Sequence, residues 1–238
     1  MLFPLLGLLQ SVTPDTVKVR SIARPPAVGA VIDSLHHGPP QLRLRTRQGV
    51  ARVWLLSAAD TLFIAASIPD STPYWGDDFV VSLDTRGDGG DSPRHDDFQF
   101  YFRRTLDSSV VFRGRLGRWE PPKGDPDWRL GGERSGGGWE VSAVDGVRGW
   151  SLLLRLDPVW LEGAEGRLPR LALRIYDDDP QGWFAWPLPA GTPQASAVER
   201  IPELWAPYRL RRSIKYRRTA PTLAPAAPAT KSHQSPSR

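Results

Sequence analysis

The chain has no cysteine in 238 residues. That absence excludes disulfides, a four-cysteine zinc site and thiol catalysis. Methionine occurs once, as Met1, so a Met/His haem ligation inside a fold is excluded, and a His-only ligation would have to use His36, His37 or His95. No run of about eighteen apolar residues is present, so no helical membrane span is expected. G-x-S-x-G, H-E-x-x-H and phosphate-loop motifs are missing too. No carboxylate pair is marked as an acid/base couple, and the chain is read as non-catalytic. Acid is absent from residues 209–238, where Arg209, Arg211, Arg212, Lys215, Arg217, Arg218, Lys231 and Arg238 lie. The formal net charge of +5 therefore belongs to that end, and residues 1–208 hold 23 basic against 26 acidic residues, a charge of −3. A nucleic-acid domain would carry its basic stripe on the folded part, so no nucleic-acid partner is expected.

What is present is aromatic, Gly-rich and strand-like. The segment Trp75–Phe102, WGDDFVVSLDTRGDGGDSPRHDDFQFYF, holds two period-2 runs. Phe79, Val81 and Leu83 alternate in the first and Phe98, Phe100 and Phe102 in the second, as strands buried on at least one face do. Between them lie Asp84, Asp88, Asp91, Asp96 and Asp97 with three glycines. Clustered carboxylates repel unless a cation or hydrogen-bond donors compensate. Ca²⁺ takes six to eight oxygens at about 2.3–2.6 Å, and Asp84, Asp88, Asp91 and Asp96 are the candidate ligands. Asp177, Asp178 and Asp179 read as a strand-end turn.

Short apolar runs separated by turn signals continue along the chain. Gly49–Ala58 and Thr61–Ile68 flank Ala59-Asp60 as a hairpin, and Trp139–Val144 and Trp150–Leu156 flank Asp145-Gly146 as another. Gly117–Gly138 reads as a long loop. Asp157-Pro158 opens one short helix, DPVWLEGA. Leu171–Tyr176 and the region around Trp205–Leu210 complete the strands. This spacing predicts an all-β fold, an antiparallel β-sandwich with that one helix. Of the ten tryptophans, Trp54, Trp139, Trp150 and Trp160 are assigned to the core. Trp183 and Trp186, three apart on a strand, must face opposite ways. Residues 1–19 are expected to be a signal peptide or linker, 20–210 the sandwich domain, and 211–238 a basic, Pro/Ala-rich disordered tail. Secretion or a periplasmic, envelope location is the matching expectation, with the tail as a possible contact to an anionic surface.

In order and spacing, several elements resemble the family 9 carbohydrate-binding modules and the wider DOMON-like sandwich group. These are Pro25-Pro26 followed by Val31-Ile32-Asp33, Ile68-Pro69-Asp70, Trp75-Gly76-Asp77-Asp78 leading to Leu83-Asp84, His95-Asp96-Asp97 with Gln99-Phe100, Gly149-Trp150, and Tyr176-Asp177-Asp178-Asp179. The resemblance covers roughly residues 23–210. It implies a Ca²⁺-bearing sandwich that binds poly- or oligosaccharide between two tryptophans. Trp75 falls on one of these; the other aligns near Ala197-Val198, where no aromatic stands, leaving Trp183, Trp186 or Trp205 as substitutes. An acid, an arginine and a glutamate of the family's pattern appear here as Val81, Tyr101 and Leu153. The implied sugar-binding set is Trp75, Gln99, Tyr101, Trp183 and Trp186. The alternatives are an interaction module with a degraded sugar site, a haem-binding DOMON-like domain, or a protein working beside a glycoside hydrolase.

Overall fold

In a computed structural model the described residues are 15–27, 29–72, 74, 76–106, 109–121, 138–161, 166–179, 181–187 and 195–210. Trp75 and Trp128, the leader expected at the start and the tail after 210 lie outside them. Among the described residues no helix is long and apolar enough to cross a membrane.

Two sheets stack to form the sandwich. The smaller contains β2 (Arg20–Ser21), β3 (Leu42–Arg45), β4 (Val50–Ala58), β5 (Thr61–Pro69), β10 (Trp139–Gly146) and β11 (Gly149–Leu156). Its order is β10-β11-β5-β4-β2, with β3 also on β4. The larger contains β1 (Val17–Lys18), β6 (Asp78–Asp84), β7 (Asp97–Arg103), β8 (Val110–Arg115), β9 (Arg118–Glu120), β12 (Arg170–Asp178), β13 (Gln181–Trp186) and β14 (Ala206–Arg209). Its order is β1-β14-β12-β6-β7-β8-β9, with β13 also on β12.

Alternation decides which side chains meet between the sheets. Phe79, Val81 and Leu83 of β6, Phe100 and Phe102 of β7, and Leu171, Leu173 and Ile175 of β12 face Val53, Leu55, Leu62, Ile64, Leu152 and Leu154 in one buried cluster. Each such aromatic or branched side chain contributes about 1.5–3 kcal/mol by leaving water. Trp139 and Trp160 set their edges against Phe100 at 5.9 and 5.2 Å between centroids.

The all-β sandwich expected from the sequence is the fold observed, with local differences. Two edge pairs are parallel, β1 with β14 and β2 with β4. The chain crosses between the sheets at Val19, so one short segment serves both edges; β1 begins ahead of residue 20. Ala59-Asp60 does form the β4–β5 turn, with φ of 46° and 69°, as a two-residue primed turn requires. The β10–β11 turn falls at Val147-Arg148 instead of Asp145-Gly146. Gly149 can pair there because a Cβ on it would stand 2.1 Å from the Ile68 carbonyl oxygen. Trp119, expected in a loop, lies on β9 and stacks on Trp205 at 6.3 Å. The helix expected after Asp157 is a single 3₁₀ turn, Pro158–Trp160, and Asp157 gives it no side-chain cap. Asp157 pairs with Arg155 instead. One-turn helices α1 (Ser34–His37) and α2 (Ala195–Val198) lie elsewhere.

Candidate functional site: the outer face of the larger sheet

The residues that alternate with the core positions of β6, β7 and β12 share the outer face of the larger sheet. Registers place Val80 opposite Tyr101 and Arg174, Ser82 opposite Gln99 and Ala172, and Asp78 opposite Arg103 and Tyr176. Trp183 of β13 pairs with Tyr176, and Ala185 with Arg174. The segment following α2 crosses this face. There Val198 and Trp205 pack on Ala172, and the Trp205 indole N–H donates to the Val198 carbonyl at 2.6 Å.

Glu199 thereby reaches the sheet. Its carboxylate accepts from Gln99 Nε2 at 3.0 Å and from Arg174 Nη1. The same guanidinium reaches Asp78 Oδ1 through Nη2 at 3.4 Å. Arg174 therefore sits between buried Asp78 and partly buried Glu199, and its Cζ lies 4.4 Å from the Trp183 ring centroid. Tyr176 touches the same indole at 4.4 Å between centroids. Trp183 nevertheless stays 47% exposed, so about half of an indole contacted by a cation and a phenol is open to solvent. Burial pushes the Asp78 carboxyl up to about 6 against the pull of Arg174 and the Tyr101 hydroxyl. Burial likewise raises Tyr101, whose hydroxyl accepts from Arg103 Nε at 3.4 Å.

The acidic loop between β6 and β7 is a separate centre. Asp84 is fully buried and accepts from the backbone N–H groups of Arg86, Gly87 and Gly89 at 3.1, 2.6 and 2.8 Å. Asp84, Asp88 and Asp96 each bring an oxygen within 4.8 Å of the others. Asp88 Oδ1, both oxygens of Asp96 and Asp97 Oδ1 are buried with no hydrogen-bond partner. Burial raises Asp84. It lifts Asp97 to about 8, aided by the charges of Asp84, Asp96 and Asp88 and against the backbone N–H of Arg94. Carboxylate oxygens without partners in a Gly-lined loop are the donor set a hard divalent cation takes, so these residues fit Ca²⁺. Asp91 is not in that group; it is exposed and accepts from the Ser92 hydroxyl.

No family model matches the chain, and no match is found among curated proteins. Solved structures do match. A family 9 carbohydrate-binding module from Caldicellulosiruptor kristjanssonii in complex with cellotriose is 14% identical, with a TM-score of 0.52 over 90% of this chain and 100% of that one. A second structure, a family 9 module from the same organism in complex with glucose, matches with the same identity and TM-score over 87% of this chain and 100% of that one. The fold is that of the family 9 carbohydrate-binding modules.

On this module fold the expected site residues fall as follows. Gln99, Tyr101 and Trp183 share the outer face of the larger sheet. Trp186 pairs with Leu173 and packs against the main core, so it does not join them. Trp205 is buried on Trp119 and offers no free face. Val81 points into the core, and Leu153 lies on the other sheet in a cluster with Trp54 and Phe63. Val81, Tyr101 and Leu153 therefore do not line one site. Val198, where a second aromatic would align, is buried. Sequence reading missed Asp78, Arg174, Tyr176 and Glu199. The period-2 run LALRIY already set Arg174 and Tyr176 opposite Leu173 and Ile175, which was the available signal; nothing local to Glu199 marked it.

Proposed function

We propose that this chain is a non-catalytic carbohydrate-binding module taking an oligosaccharide on the outer face of the larger sheet. Trp183 is the stacking platform, since an exposed indole face covers the C–H face of a pyranose and excludes water. Beside it the partly exposed Tyr101, Arg103 and Glu199 supply donors and acceptors for sugar hydroxyls, while buried Gln99, Asp78 and Arg174 hold them in place. Trp75, three residues ahead of β6 in sequence, is the second aromatic of the proposal. The observation that carries it is Trp183, half exposed and in contact with Arg174 and Tyr176. Two solved modules of this fold hold cellotriose and glucose, which supports a neutral gluco-oligosaccharide as the ligand class. Asp78 and Glu199 are both engaged by Arg174, so neither is free to serve as one of the paired carboxyls of a glycosidase. In the same proposal Ca²⁺ binds Asp84, Asp88 and Asp96 and stiffens the loop between β6 and β7. Export, a role in polysaccharide use and contact of the basic tail with the envelope complete the reading.

The test is a titration of the full chain with cellotriose and glucose, followed by tryptophan fluorescence and calorimetry. Trp183→Ala should lower affinity at least ten-fold while stability changes by under about 1 kcal/mol, as at other exposed sites. Unchanged affinity in Trp183→Ala, or silence of the wild type across a glycan array, would overturn the assignment.

A further inference from the structure

The opposite side of the molecule carries a second surface of different chemistry. On the outer face of the smaller sheet Arg43 of β3 stands directly across from Arg52 of β4, and Arg45 from Val50. Arg52 lies in turn across from Ser67 of β5, and Ser67 across from Ser151 of β11. The β10–β11 turn adds Arg148. All four arginines are exposed, and among the described residues no acid forms an ion pair with any of them. Glu140 and Asp157, at the far end of this face, are both engaged by Arg155.

Between Arg52 and Arg148 the surface sinks into a basin of about 490 Å³ floored by Ser67, Gly146, Gly149 and Ser151. Like charges directly across a sheet repel, so the Arg43–Arg52 pair costs stability unless something anionic lies over it. In a body whose charge through residue 208 is −3, this is a local reversal of sign. Guanidinium groups take carboxylates in two-point hydrogen bonds. Arg43 and Arg45 stand about 7 Å apart along their strand, and Arg43 and Arg52 about 5 Å apart across it, a row suited to a linear chain bearing regular carboxylates. The hydroxyl and glycine floor leaves room for a sugar ring. The apolar residues exposed around it, Val50, Val144 and Val147, are small. Among the described residues of this face there is no exposed aromatic or leucine to insert among acyl chains.

We propose that this face binds an acidic polysaccharide, its carboxylates seated on Arg43, Arg45, Arg52 and Arg148. The surface lies on the other sheet from Trp183, so neutral and acidic glycans occupy different sides of the module.

The experiment measures binding of the full chain to polygalacturonate at low salt and at about 0.3 M salt, where a Debye length near 6 Å screens exposed charges. A triple variant, R43S/R52S/R148S, is compared with a tail variant, R211S/R212S/R217S/R218S. The wild type should bind, salt should weaken binding, and the triple variant should lose at least ten-fold. The tail variant should bind as the wild type does. Arg52→Ser alone, expected to lose about three-fold, carries the same reading should the triple variant lose stability. No wild-type binding at low salt, equal binding by both arginine variants, or loss confined to the tail variant would overturn the proposal. So would preference for phosphatidylglycerol vesicles over polygalacturonate. Cellotriose affinity in the triple variant should match the wild type; failure of cellotriose to bind at all bears on the Trp183 reading alone.

Discussion

Among the described residues two clusters of three aspartates occur, all buried except half-buried Asp88, and they are compensated in opposite ways. Asp70, Asp77 and Asp177 are supplied from within. Arg104, itself buried, reaches Asp70 Oδ2 at 2.6 Å and Asp77 Oδ2 at 3.3 Å. Gln48 Nε2 lies 2.8 Å from Asp70 Oδ1 and 3.4 Å from Asp177 Oδ2, and backbone N–H groups of Thr72, Tyr74 and Asp178 donate to the rest. Asp177 Oδ1 alone in that cluster has no partner. Among the described residues the loop cluster of Asp84, Asp88 and Asp96 has no buried cation of that kind. Asp84 is satisfied by three N–H groups, but Asp96 has neither oxygen hydrogen-bonded, and exposed His95 stands 3.5 Å away. Arg94, also half exposed, is 3.5 Å from Asp88. A buried carboxylate without donors or a cation is costly. The contrast teaches that the first cluster is held mainly by Arg104, Gln48 and backbone N–H groups, whereas the second leaves carboxylate oxygens open, which is what the proposed Ca²⁺ would compensate.

Removing the internal cation gives the largest expected effect. Arg104→Met strands Asp70 and Asp77 as unpaired buried acids, and breaking a buried pair from one side costs about 3–5 kcal/mol. Chemical denaturation at neutral pH measures it. A loss below 1 kcal/mol would mean the acids do not depend on Arg104, and the contrast between the clusters would collapse.

The external cation comes next. Ca²⁺ binding only the folded chain raises its stability by about 2.7 kcal/mol at one hundred times the dissociation constant. Melting in Ca²⁺ and in EDTA should therefore differ for the wild type. Substituting Asp84 and Asp88 by Asn should lower the melting temperature and abolish the difference. Identical wild-type curves with and without chelator would remove the metal from the loop.

How far was this contrast legible in the chain? The strands of the sandwich were, because core aromatics on β6 and β7 recur every second residue and turns carry Asp and Gly. The loop cluster was legible as well, since Asp84, Asp88 and Asp96 are close in sequence. The Asp70–Asp77–Asp177 joint was not: Asp177 is a hundred residues from Asp77 in sequence, and only the pairing of β12 with β6 brings them together. Asp177 read from sequence as a turn residue. The same distance problem hid Glu199, which joins Arg174 and Gln99 only because the segment after α2 crosses the sheet. The parallel edge pairs went unread because two-residue strands carry no periodicity.

Asp78 is the intermediate case and gives the smallest effect. Like Asp97 it is buried, but Arg174 faces it, and its carboxyl rises to about 6 where that of Asp97 rises to about 8. Its ordinary value of 3.8 applies to the unfolded chain. A carboxyl raised on folding holds its proton longer in the native state, so the native state binds more protons between pH 4 and 6. The stability this gives is full below about pH 4 and is lost as pH rises through 6. Asn at position 78 does not titrate. Relative to Asp78→Asn, the wild type should therefore lose stability on going from pH 4.5 to 7.5, by on the order of 2 kcal/mol. Denaturation in saturating Ca²⁺ keeps the loop acids out of the comparison. Parallel pH profiles for the two proteins would show that Arg174 compensates Asp78 fully, and the outer-face acid would then belong with the Arg104 joint, not between the two clusters.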